Sequence, residues 1–166
     1  YMAKHVAEKD YKVFGMIRWA SNPNFENLRY LGIEDAVEVV QGDMTDECSL
    51  NHLVKTIRPD EVYNLAAQSF VASSWSQAKL TSETNAMGTL FLLNAVRMFN
   101  PTTKFYQAST SEMFGNSSRE GLQDEETPFH PRSPYAISKL FSYWMANNFK
   151  ESYGMFCANG ILFNHE

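Results

Sequence analysis

Short apolar runs alternate with longer helical stretches along these 166 residues, and few architectures can accommodate that order. Residues 12–18, 37–41, 61–66, 104–109 and 156–163 read as strands, being short, rich in β-branched and aromatic residues and bounded by turn formers. Helices are expected over 46–57, 81–99 and 133–153, the first with Asp46 and Glu47 at its positive end. Strands separated by helices pair in parallel, because each crossover returns the chain to the same end of the sheet. The expected fold is therefore α/β, a doubly wound parallel sheet, in one domain over residues 1–166. Residues 2–9 read as the tail of a helix that runs directly into a strand. Neither a preceding strand nor a glycine-rich turn of the kind that cradles a pyrophosphate is seen, so the sheet is expected to be incomplete and cut at both ends. The polar stretch 115–132, with Pro128 and Pro131, reads as a surface loop leading into the last helix.

Composition narrows the function. With 44% hydrophobic residues the chain can bury a real core, and its net charge of −5 without a basic run argues against nucleic acid or an anionic membrane surface as partner. No apolar stretch approaches the ~18 residues of a membrane span, and the first ten residues lack a secretory core. A soluble, cytoplasmic protein acting on a small molecule is the expectation. Cys48 and Cys157 have no C-x-x-C spacing and suit a reducing compartment. His5, His52, His130 and His165 are scattered, so no metal site is expected.

The chemistry is concentrated in Arg132-Ser-Pro-Tyr-Ala-Ile-Ser-Lys139. A spacing of four on a helix puts the Tyr135 phenol and the Lys139 ammonium on one face. Making a phenol a base near neutral pH requires lowering its pKa by about 3 units, or roughly 4 kcal/mol. One ammonium at about 4 Å in an effective dielectric of about 20 supplies that much. Taken alone, the pair would equally suit an amphipathic helix with a surface lysine. Two further strand ends are polar where an open α/β sheet forms its crevice: Ser109-Thr-Ser-Glu112 after the strand at 104–109, and Ala67-Gln-Ser69 after that at 61–66. A hydroxyl, a carboxylate, a phenol and an ammonium are thus expected to converge. Thr110 and Ser111 also suit plain capping of the next turn.

These residues, with Val62-Tyr-Asn-Leu-Ala-Ala-Gln-Ser69, Lys104-Phe-Tyr-Gln-Ala-Ser-Thr-Ser-Glu112 and Asn159-Gly-Ile-Leu-Phe-Asn-His-Glu166, resemble the extended branch of the short-chain dehydrogenase/reductase family, and within it the nucleotide-sugar 4,6-dehydratases. The resemblance implies a Rossmann-like domain, NADP as cofactor and GDP-mannose as substrate. It implies that Tyr135, assisted by Lys139, takes the proton of the sugar 4-hydroxyl, that Thr110 holds the reacting oxygen, and that Glu112 removes the C5 proton. Cofactor contacts are implied at Arg18, Asp43, Met44, Leu65, Ala66, Ala67, Gln68, Ser69, Tyr135, Lys139 and His165. Arg18 is followed by Trp19 where the family usually has a second arginine, and Leu80 stands where it often has a tyrosine. A homo-oligomer of the full-length protein is also implied, with residues 69–79 at the contact. The alternatives are an epimerase or reductase of the same family, which needs no base at C5, and a non-catalytic truncated domain that binds NADP weakly because the glycine-rich turn is absent.

Overall fold

The structure, a computed structural model, describes residues 1–116 and 122–164. They form two compact units, residues 1–43 and the remainder from Met44. The first unit holds α1 (Met2–Ala7), β1 (Val13–Ile17), α2 (Glu26–Tyr30) and β2 (Val37–Gln41). Its two strands pair in parallel, with Val13 opposite Val37 and Ile17 opposite Gln41. The helix expected from residues 2–9 is α1, and α2 is a single turn too short for periodicity to reveal.

The second unit is built on a three-stranded parallel sheet in the order β3 (Glu61–Asn64), β4 (Lys104–Thr110) and β5 (Cys157–Leu162). Its helices are α3 (Glu47–Ile57), α4 (Ala78–Ser82), α5 (Gly88–Phe99) and α6 (Pro134–Tyr153), with a π turn, Glu83–Met87, joining α4 to α5. Their ends follow local chemistry. The Asp46 side chain caps α3 by accepting from Cys48 N at 3.0 Å, and Gly154 ends α6 at φ 67°, where a side chain would be strained. Leu50 and Val54 of α3, Leu93 and Val96 of α5 and Phe105 of β4 fill the core. The parallel α/β architecture expected from the alternation is present, and among the described residues no helix is long and apolar enough to cross a membrane.

Two departures shape the site. The strand expected over 61–66 stops at Asn64, because Leu65 N–H turns back onto Tyr63 O at 3.1 Å instead of continuing the ladder. The helix expected over 81–99 begins earlier, at Ala78, and is widened by the π turn.

Gly88, the first residue of α5, sits where a β-carbon would lie 2.7 Å from Met44 O and 2.8 Å from Met44 Cβ. Gly88→Ala therefore forces α5 away from this backbone, with an expected cost of about 1–3 kcal/mol in chemical denaturation. Unchanged stability would show that the helix yields freely there.

Candidate active site

β4 carries the first part of the site to the carboxyl edge of the sheet. Thr110 is its last residue, and a 3₁₀ turn, Ser111–Met113, follows. Thr110 Oγ1 accepts from Glu112 N at 3.2 Å, so the capping role suits the same hydroxyl that the resemblance marks as catalytic. Met113 and Phe114 are almost fully buried and anchor this turn, leaving Glu112 exposed beside them.

α6 supplies the second part. Ser133 caps it by accepting from Ala136 N at 3.1 Å, and Pro134 fits the first turn, where no amide donor is required. One turn then presents Tyr135, 8% exposed, and Lys139, 4% exposed, on the buried face. Tyr135 shares a hydrogen bond with the Thr110 side chain and feels the Glu112 charge. Hydroxyl, phenol and carboxylate therefore meet, as the sequence leads one to expect.

Lys139 Nζ donates to Ala108 O at 2.9 Å. That carbonyl is available for a plain topological reason. Lys104 N points to β3 and Phe105 N to the β5 side, so even-numbered residues of β4 face β3, and β3 has ended before it can supply a donor to Ala108.

The electrostatics correct one expectation. Burial raises the Tyr135 phenol above its ordinary value; the Thr110 hydrogen bond opposes this and the Glu112 charge adds to it. Burial likewise lowers Lys139 to about 8. Desolvation thus pushes both groups toward their neutral forms, and the ammonium, engaged with the Ala108 carbonyl, is not what sets the phenol here.

Glu112, Ser111, Gly115, Asn116, Gln123 and Arg132 line an open polar cleft of about 540 Å³. Residues 65–69 leave the end of β3, with Leu65 52% exposed. They are fixed by Asn85 in the π turn: its Oδ1 accepts from Gln68 N at 2.8 Å and its Nδ2 donates to Gln68 O at 3.1 Å. The same amide nitrogen donates to Ser138 Oγ at 3.1 Å, and Ser142 Oγ donates to Asn85 O at 2.7 Å, so one residue ties this loop to the tyrosine helix. Sequence reasoning missed Asn85. The polar run Thr81-Ser-Glu-Thr-Asn85, ending three residues before Gly88, was the available signal.

Of the remaining predicted residues, Arg18 is exposed at the end of β1 and Asp43 follows β2 by two positions. Met44 is 3% exposed and packs at Gly88, so its side chain belongs to the core. Ser69 and Trp19 are exposed, and Leu80 lies on α4 at 40% exposure. His165 lies outside the described residues.

Solved structures share this arrangement of elements. UDP-glucose 4-epimerase from Brucella ovis in complex with NAD aligns with a TM-score of 0.83 at 25% identity, covering 98% of this chain and 47% of that one. A dTDP-glucose 4,6-dehydratase from Streptomyces venezuelae with NAD bound aligns with a TM-score of 0.78 at 26% identity, covering 95% and 48%. The fold is thus the Rossmann-like one of nucleotide-sugar dehydratases and epimerases. In sequence, GDP-mannose 4,6-dehydratase from Vibrio cholerae is 46% identical over 173 residues, which is all of this chain and 46% of the relative. The Homo sapiens protein of that name is 43% identical, again over all of this chain and 46% of the relative. The chain spans about half the length of the curated relatives it matches. The family described as GDP-mannose 4,6 dehydratase matches residues 1–166. On that match, and with relatives of such identity along its whole length, the chain belongs to the GDP-mannose 4,6-dehydratase family.

Proposed function

We propose that the polypeptide carrying this chain converts GDP-mannose to GDP-4-keto-6-deoxy-mannose, with NADP as cofactor. The observation that carries this reading is the meeting of three groups at one strand end: the Tyr135 phenol hydrogen-bonded to the Thr110 side chain and within reach of the Glu112 charge. An alcohol oxidation makes no use of a carboxylate; one near the phenol suits a second proton abstraction.

In this reading Thr110 orients the sugar 4-oxygen while Tyr135 takes its proton. The resulting 4-ketone acidifies C5, and Glu112 removes the C5 proton and delivers it to the departing C6 hydroxyl, which leaves as water. When bound, NADP would supply a reversible hydride acceptor for the sugar, so no external redox partner is needed, and Glu112, reprotonated from solvent, returns a proton to C5 as C6 is reduced.

The residues fit such a cofactor. Lys139 spends one donor on Ala108 O and, as an ammonium, has two more for the vicinal hydroxyls of a ribose. Leu65 to Ser69 lie at the carboxyl end of β3, where open α/β sheets hold dinucleotides. The exposed Arg18 suits a 2′-phosphate, which favours NADP over NAD. The same reading includes a homo-oligomer in the cytoplasm with residues 69–79 at its contact, where Phe70 and Trp75 are 69% and 67% exposed.

The test is turnover of GDP-mannose with NADP⁺ in deuterated water. The expected product is the 4-keto-6-deoxy sugar with solvent deuterium at C5 and no net reduction of the cofactor. A C4 epimer, or a 4-ketone that keeps its C6 hydroxyl, would overturn the assignment in favour of the epimerase or reductase alternative.

A further inference from the structure

Gln107 and Asn64 form a buried polar pair in the middle of the sheet, opposite each other on β4 and β3 and 1% and 3% exposed. Amides are poor choices there. Leaving one unsatisfied is costly, whereas apolar residues of the same shape carry no such penalty. Here both amides are partnered. Asn64 Nδ2 donates to Gln107 Oε1 at 2.8 Å and to Thr89 Oγ1 at 3.1 Å, and Thr89 donates in turn to Asn85 O at 2.7 Å. Gln107 Nε2 then donates to Ala108 O at 3.1 Å, the same carbonyl that receives the Lys139 ammonium at 2.9 Å.

We propose that Gln107 is a positioning residue for Lys139: held by Asn64, its amide fixes the Ala108 carbonyl on which the ammonium rests, and does so without adding a charge. The carbonyl lies beyond the end of β3, so no backbone donor restrains it from that side. Two donors on one oxygen place the amide within roughly 6 Å of the ammonium, the range over which a charge shifts a neighbour's pKa. A neutral side chain there matters. A carboxylate in its place would draw the ammonium toward itself and hold both Lys139 and Tyr135 in their protonated forms. The other ionisable groups on the elements packed against α6 are Glu112 beside Tyr135, Tyr106 on β4, Lys104 at the start of β4 paired with Glu61 at 3.2 Å, Cys157 on β5, Lys79 paired with Glu83 at 3.6 Å, and Arg97 stacked on Tyr153. None is a cause of the Lys139 shift, which burial alone explains.

The rate readout rests on the dehydratase reading; the lysine titration does not. In the full polypeptide labelled with ¹³Cε-lysine, the Lys139 resonance is assigned by its loss in Lys139→Met and titrated in the parent, Gln107→Glu and Gln107→Met. The parent midpoint is expected near 8. Gln107→Glu, nearly isosteric, should raise it by about one unit or more. Gln107→Met keeps the bulk and loses the hydrogen bonds, and should lower kcat about tenfold, with less effect on the sugar KM, through misplacement of the ammonium. Val96→Ala serves as control: it loosens the core away from the site and should leave kcat within about twofold and the Lys139 midpoint in place. A Gln107→Glu protein whose Lys139 titrates like the parent, or a Gln107→Met protein that turns over like the control, overturns the proposal. A parent without dehydratase turnover sinks the dehydratase reading and leaves the Gln107→Glu titration to decide this one.

Discussion

Tyr135→Phe is expected to lower turnover by about a thousandfold while leaving the fold intact. The substitution removes one oxygen from a side chain that is 8% exposed, and the ring keeps its packing. What it loses is the phenol bonded to Thr110, which in the proposed reaction receives the alcohol proton. The pH profile should change with it. Burial holds the phenol in its protonated form, so in the parent the rate should rise with pH as the phenolate forms in the working complex. Lys139 acts in the opposite sense: its ammonium is lost as pH climbs through about 8, or higher where a bound ligand stabilises the charge. The parent should therefore show a bell, and the Phe variant should lack its acid limb. A Phe variant within tenfold of the parent would remove Tyr135 from the chemistry.

Glu112→Gln is expected to cost about a hundredfold or more in dehydration, without loss of stability because the side chain is exposed. The effect should fall on one half of the reaction. In the proposed reaction, oxidation at C4 uses Thr110, Tyr135 and Lys139, none of which is altered, whereas removal of the C5 proton requires a base that an amide cannot supply. Rapid mixing with NADP⁺ and GDP-mannose should then show reduced nicotinamide building up and persisting, with little deuterium entering C5 from labelled water. Removing the carboxylate also withdraws a negative charge that raises the Tyr135 pKa, so the acid limb should move to lower pH in single-turnover oxidation. Dehydration at the parental rate would show that the C5 base lies elsewhere.

Much of this was legible in the sequence because periodicity reports burial. The runs at 37–41 and 104–109 are strands at nearly those bounds, since apolar residues flanked by turn formers have no other use at that length. The Tyr135 and Lys139 spacing was equally legible, as helical geometry fixes which face two residues share. Three features were not. β3 stops at Asn64 although Leu65 and Ala66 continue the apolar pattern, because a single amide turning back to Tyr63 competes with the ladder. Asn85, closing the polar run 81–85, reads as one solvent-facing residue among several until its contacts to Gln68, Ser138 and Ser142 are seen. Gln107 reads as a strand residue among others, and its partner Asn64 is 43 positions away.

The amino-acid order alone determined the parallel α/β architecture, the helix that carries phenol and ammonium, and the hydroxyl and carboxylate that precede it. These follow from local spacing, in which each residue constrains neighbours within a turn or a strand. Tertiary structure alone decided the electrostatics. Whether Lys139 lowers the phenol or rests on a carbonyl depends on where β3 ends, and whether either group is charged depends on how much water packing excludes. Those are properties of groups far apart in the chain meeting in a medium of low dielectric, and no local pattern encodes them.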